Sequence, residues 1–304
     1  MTTAKMQRPY LQLQFLVLVL AFTAVLGRLI TLSSPLLVMW RTGLAVVLML
    51  LWLLISKRAP IRMNRSDVCK ALGIGVILGL HWMAFFGSIQ LSNISICLAG
   101  MASISFFTAL SEPLINRCKP DRREILLGLM VIPGLSLVAG STWDHALGLG
   151  TAIVAAMLAA LFPVLNRKLT LRGIAPQTLT VYELIGASAT CFVAACLIPD
   201  IRITQLPSIS DWGWLLLLSG VCTVWAYSFH IHLLRKFTAF TTNLAFNFEP
   251  VYGILLAAVC FHEYEELTPT FYVGALFIIA ASVIHAMTGK AKHPVTAAGE
   301  PPLD

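Results

Sequence analysis

Residues 35–70 read PLLVMWRTGLAVVLMLLWLLISKRAPIRMNRSDVCK: a long apolar run interrupted by one charge, Arg41, followed by a gap carrying Lys57, Arg58, Arg62, Arg65 and Lys70. A bilayer crossing by a helix takes about 20 apolar residues, and loops rich in Lys and Arg stay on the cytoplasmic side. This one stretch therefore reads as a membrane span with its orientation attached.

Working outward, the pattern recurs. Apolar stretches occupy residues 10–30, 35–56, 69–90, 94–116, 124–140, 146–166, 177–198, 211–232, 239–261 and 269–287, which predicts ten crossings. With the amino terminus inside, 18 of the 21 basic residues fall in alternate gaps or in the tails, Lys290 and Lys292 included. Arg28, Arg41 and Arg202 are the exceptions, while Asp144, Asp200, Asp211, Glu263, Glu265 and Glu266 collect in the opposite gaps. Both termini are expected in the cytoplasm, in a plasma (inner) membrane. The first span follows Lys5 and Arg8 but is too long and lacks the small-x-small site of a cleaved signal, so it reads as a retained anchor.

Composition agrees: 58% of residues are hydrophobic and 12% charged, against roughly a quarter charged in soluble domains. The net charge of +7 is spread over loops rather than gathered on one face, so nucleic acid is not an expected partner. The seven cysteines are scattered without a C-x-x-C pair and read as small apolar residues. His230 and His232 are two apart and point to different helix faces, so no metal site is expected. No phosphate-binding loop and no hydrolase motif occurs, so neither nucleotide-driven pumping nor an enzyme is expected, and no cofactor.

Ten spans divide into two fives, and an odd number of crossings forces related halves to insert with opposite orientation. The expected units are residues 1–143 and 144–289, followed by a disordered tail at 290–304. Pro35, Trp40, Arg41 and Gly43 in span two have counterparts in Pro176, Tyr182, Glu183 and Gly186 of span seven, which makes Arg41 and Glu183 symmetry mates. Glu112-Pro113 and Glu249-Pro250 in spans four and nine do not superpose in the register set by Gly128 and Gly274. Gly75-x-x-x-Gly79 offers a close-packing surface, and Pro113, Pro133, Pro163 and Pro250 predict kinks.

A charge at the middle of a span costs about 2.5–3.5 kcal/mol on insertion scales, so each one calls for a partner or a watery cavity. Glu249 is the foremost candidate, near the midpoint of span nine on the face shared by Asn243 and Asn247. Arg41 and Glu183 are candidates for gating or proton coupling, as is Glu249 itself. Arg28 reads as snorkelling or pairing with Glu263, and Glu112 as a partner of nearby Arg117. His81 and Trp82 in span three and Trp225 in span eight complete the candidate binding set.

These residues resemble the drug/metabolite transporter superfamily, EamA type. The resemblance rests on Pro35, Trp40, Arg41 and Gly43, and on the run Asn247-Phe248-Glu249-Pro250-Val251-Tyr252-Gly253 leading through His262-Glu263 to Phe271-Tyr272-x-Gly274-Ala275. It implies an all-α fold of ten helices as two inverted five-helix repeats, with a cavity lined mainly by helices three, four, eight and nine. The family's arginine in helix two and glutamate after helix nine match Arg41 and Glu263, while the corresponding glutamate after helix four is Lys119 here. The expected function is secondary transport of a small metabolite, most of all export of amino acids or their derivatives, metal-chelating ones included, with protons as candidate coupling ions. The lipid bilayer and a small-molecule substrate are the expected partners, and a monomer the expected functional unit. Import of a vitamin is the alternative within the family. A membrane-embedded enzyme would want clustered acids or histidines at the membrane surface, and a channel a ring of repeated polar groups.

Overall fold

The computed structural model describes residues 3–57, 59–130, 133–134, 137, 143–199, 201–262, 268–270, 272–274, 276–277, 280 and 284. Among these the chain is helical and without strands, and eight spans are long and apolar enough to cross a bilayer. Span five is described at 124–130, 133–134 and 137 and span ten at nine of its nineteen residues, while Arg58, Asp200, Glu263, Phe271, Ala275 and the tail lie outside the described residues.

Four spans are single helices: α1 (Thr3–Leu29), α2 (Ser34–Ser56), α3 (Arg65–Leu91) and, later in the chain, α9 (Pro176–Leu197). The other four are broken. Span four is α4 (Ile94–Met101) plus α5 (Ile104–Asn116), and a short α6 (Arg122–Leu129) follows. Span six is α7 (Ala146–Ala159) plus α8 (Phe162–Leu171). Span eight joins α10 (Ile209–Ser219) to α11 (Ala226–Leu233) through a π-helical turn, Gly220–Trp225. Span nine is α12 (Ala239–Phe246) plus α13 (Glu249–Phe261).

Local chemistry sets these limits. Pro35, Pro163, Pro176 and Pro250 each sit in a first helical turn, where the missing N–H costs nothing. Asn64, Asn93, Ser208 and Thr238 cap α3, α4, α10 and α12 by accepting a backbone N–H from the first turn. Two of the expected proline kinks, at Pro163 and Pro250, coincide with breaks. Pro113 does not: α5 runs through it, and span four breaks instead at Ala102–Ser103, where the Ser103 hydroxyl takes the Gly100 carbonyl at 2.8 Å. Pro113 lies in the last turn of its helix, which limits the disruption its ring causes.

Spans four and nine share one plan. A single offset carries the cap Asn93 onto Thr238, Ile94–Met101 onto Ala239–Phe246, the two-residue break onto the other break, and Ile104–Asn116 onto Glu249–Phe261. Even the closing residues agree, since Arg117 and His262 both adopt the left-handed conformation, with φ of 53° and 57°. The same offset places Ile104, not Glu112, opposite Glu249, so the two Glu-Pro steps are not equivalents. The spans pack antiparallel, α12 on α5 and α13 on α4.

Loop contacts gather the chain's basic gaps at one end of the bundle. There Arg172 pairs with Asp67 at 2.8 Å, Thr178 reaches the Pro60 carbonyl, Arg235 the Ile174 carbonyl and Lys168 the Ile115 carbonyl. At the other end Asp211 accepts from the Thr31 amide and hydroxyl at 2.8 and 2.9 Å, and Gln90 donates to the Leu32 carbonyl. Arg28 is at this end too, donating to the Ile89 carbonyl. In the middle α3 and α9 touch backbone to backbone, because a methyl added to Gly75 would overlap the Glu183 carbonyl and one added to Gly186 that of Leu72. Outward-facing Ile55, Leu114, Leu147 and Val259 present apolar surface to the lipid.

Candidate functional site

The breaks and the π-turn lie around one central cavity, and its lining is organised in pairs. Span four contributes Met101 and Ile104, and span nine the equivalent Phe246 and Glu249. Leu20 and Thr23 of α1 are matched by Ala159 and Phe162 of span six, again three apart. From α3 come Leu78, His81, Trp82 and Phe85; from span eight come Cys222, Ala226, Tyr227 and His230. The last set has one more residue between its first and second members. The π-turn supplies it: closing hydrogen bonds from i to i+5 inserts a residue into the helical count. Among the described residues, the lining residue left without a mate is Arg41 of α2.

That extra residue decides which aromatic faces the cavity. Tyr227 lines it, in edge contact with Trp82 at 5.8 Å. Trp225 is turned away, 40% exposed, stacked on Phe229 and in edge contact with Phe15 at the outer surface.

Arg41 is 1% exposed. Its Nε donates to the Thr223 hydroxyl at 2.7 Å and Nη2 to the Cys222 carbonyl at 3.4 Å, both inside the π-turn. The guanidinium carbon lies 4.2 Å from the centre of the Trp82 ring, a cation–π contact of about 2 kcal/mol when desolvated. Its Nη1 is buried with no acceptor. An unused donor on a charged group in a membrane interior is costly unless a ligand satisfies it.

Glu249 occupies the first turn of α13, with its partly open face on the cavity. The ion pairs among the described residues are Lys70–Asp67 and Arg172–Asp67, so Arg41 and Glu249 line the same space without neutralising one another. His81 donates from Nδ1 to the Ala155 carbonyl at 2.9 Å, because a carbonyl can only accept, and this leaves Nε2 as an acceptor. His230 also lines the cavity, and its Nε2 is buried without a partner. The cavity measures about 80 Å³, room for a handful of waters at roughly 10–15 Å³ each, so a metabolite enters only with some parting of the walls.

The remaining candidates lie elsewhere. Asn243 and Asn247 are fully buried in the antiparallel seam of spans four and nine, donating to the Thr108 hydroxyl at 2.8 Å and the Ser105 hydroxyl at 3.0 Å. Glu112 continues that seam by accepting the Phe240 amide at 2.8 Å at the start of α12. Glu183 is fully buried behind Tyr227, whose hydroxyl donates to its Oε2; Asn166 Nδ2 donates to the same oxygen at 3.1 Å. Counted from Pro35 and Pro176, Arg41 and Glu183 fall one residue out of register. The structure thus adds Tyr227, His230, Thr223 and Asn166 to the polar groups in or beside the cavity. Only Tyr227 and His230 carry a sequence signal, as polar rings at mid-span.

Residues 146–287 match the EamA-like transporter family. The chain carries an EamA-like transporter domain. That half holds spans six to nine and with them Glu183, Tyr227, His230 and Glu249. The transporter YyaM of Bacillus subtilis (strain 168), itself described as uncharacterized, is 25% identical over 228 residues, or 72% of this chain and 74% of its own. A solved crystal structure of a protein superposes with a TM-score of 0.70 over 93% of this chain and 99% of that one, at 14% identity, which is a likeness of fold. The eight apolar spans and the match of residues 146–287 to the EamA-like transporter family make this a multi-pass membrane transporter.

Proposed function

We propose that the cavity is the binding site of a secondary transporter for a small zwitterion, an amino acid or a derivative of one. One observation carries this reading: Arg41 and Glu249, opposite in charge and unpaired, face one narrow space walled by aromatic rings. A carboxylate fits the free Nη1 of Arg41, and an ammonium fits Glu249. Trp82, Tyr227, Phe162 and Phe246 then enclose the apolar part of the substrate. Asn247, placed on the face of Glu249 by the sequence, is occupied in the seam, which leaves the ammonium to Glu249.

In this reading the halves 1–143 and 144–289 rock about the cavity in the plasma membrane, with both tails in the cytoplasm. Export, the direction expected from the EamA resemblance, is the proposed mode, with protons as the coupling ion. A named transporter among the relatives supports the class. Reconstitution into liposomes and counterflow of a mixed amino-acid pool tests it: zwitterions are expected to exchange while the corresponding amines and acids do not. Equal exchange of all three, or none, would remove the reading.

A further inference from the structure

Tyr227 and Glu183 form a device that substrate binding alone does not require. Glu183 has no surface of its own on the cavity and is fully buried; Tyr227 lines the cavity and donates its hydroxyl to Glu183 Oε2. Asn166 Nδ2 bridges both, at 3.1 Å from Glu183 Oε2 and 3.1 Å from the Tyr227 oxygen. The other carboxyl oxygen, Oε1, is buried and meets no donor. A carboxylate with one oxygen unserved inside a membrane needs either a cation or a proton.

Among the described residues no cation supplies the balance. Of the helices packed on α9, α2 turns Arg41 onto Thr223, and α3 ties His81 to the Ala155 carbonyl and keeps Lys70 on Asp67 at its first turn. From α8, Arg167 reaches away to the Phe237 carbonyl. From α11, His230 faces the cavity beside Phe246, and His232 stacks on Phe229. Of the other acids within spans, Glu249 is on the cavity side of Tyr227 and Glu112 accepts the Phe240 amide in the seam of spans four and nine.

We propose that Glu183 is a proton site reached from the cavity only through Tyr227. A proton delivered to the Tyr227 oxygen from the cavity is matched by the passage of that residue's own proton to Glu183 Oε2. Tyr227 ends as it began and Glu183 gains the proton; the reverse passage returns it. The exchange also reverses the hydrogen bond. With Glu183 ionised, Tyr227 donates to it and offers the cavity a lone pair; with Glu183 protonated, the carboxyl donates and the Tyr227 hydroxyl is free to point at a substrate. Tyr227 is then a positioning residue whose polarity reports the state of Glu183. This rests on the cavity being the transport site, but its test requires no transport.

The test is infrared difference spectroscopy of the purified full-length protein in phosphatidylcholine–phosphatidylglycerol vesicles, stepped between acidic and alkaline buffer. The wild type is expected to show a titrating protonated-carboxyl stretch that persists in Glu249→Gln and is lost in Glu183→Gln. In Tyr227→Phe the band is expected at higher frequency, with one hydrogen bond gone, and to rise more slowly after the step. A band unmoved in frequency and rate by Tyr227→Phe overturns the relay, as does a Glu249→Gln protein with no titrating carboxyl band. Should Glu183→Gln fail to fold, the comparison of Tyr227→Phe with wild type still decides. A failed counterflow assay with this signature intact would count against the transport reading and leave the relay standing.

Discussion

Replacing Arg41 by Gln removes a charge whose free donor, Nη1, suits a carboxylate in the cavity. Nε and Nη2 are already engaged by Thr223 and Cys222, so the substrate gains a single charge-assisted hydrogen bond rather than a bidentate pair. Such a bond contributes about 1.5–3 kcal/mol. With ~2 kcal/mol, and tenfold in affinity for each 1.4 kcal/mol, the loss is roughly 30-fold. The assay pairs the mutation with a change in ligand: the amino acid that counterflow selects, and the amine left when its carboxylate is removed. Wild type is expected to bind the amino acid roughly 30-fold more tightly than the amine, and Arg41→Gln to bind both about as weakly as wild type binds the amine. Thermal melts control for the lost Trp82 contact. If the mutation weakens both ligands by the same factor, Arg41 acts on the fold and not on the carboxylate, and the zwitterion reading fails.

Further outcomes follow from the geometry. Trp82→Ala is expected to abolish counterflow while Trp225→Ala leaves it within about twofold, since only the first ring faces the cavity and exposed substitutions stay within about 0.5 kcal/mol; equal losses in a transport assay would contradict the π-turn register. Gly75→Ala is expected to force α3 from α9 and destabilise by about 1–3 kcal/mol, read as a lower melting temperature in detergent, whereas Gly73→Ala, with open space around it, is expected to be neutral or stabilising. Asn243→Ala and Asn247→Ala are each expected to cost about 0.6–2 kcal/mol in stability, from lost interhelical hydrogen bonds, with little change in substrate affinity among molecules that remain folded. Asp211→Asn is expected to loosen the Thr31 loop, read as faster hydrogen exchange at residues 30–33, with no change at Arg172.

Much of the fold was legible because lipid imposes it. Long apolar runs and alternating basic gaps located eight of the spans, and among the described residues the gap cations Lys70, Lys168, Arg172 and Arg235 lie together at one end of the bundle. Gly75 and Gly79 pointed to close packing for a physical reason, and the backbones of α3 and α9 do meet there. The site was legible only in part. Glu249, Arg41, His81 and Trp82, which line the cavity, stand out in the sequence because intramembrane charge and mid-span polar rings are expensive. Asn243 and Asn247 stand out equally, yet a sequence does not show that Ser105 and Thr108 of span four wait opposite them. Trp225 and Tyr227 are both mid-span aromatics, and a sequence does not show which of them faces the cavity, because the π-turn at Gly220–Trp225 shifts the helical count and no proline marks it. The break at Ala102–Ser103 was hidden for the same reason, its determinant being a serine hydroxyl on a carbonyl.

Ile104 and Glu249 sit at matching places in the two kinked spans, one oily and one acidic. In the proposed transport cycle, a cargo tethered by its amine to Glu249 does not change hands: it stays moored to span nine throughout, and span four slides past it as a greased partner.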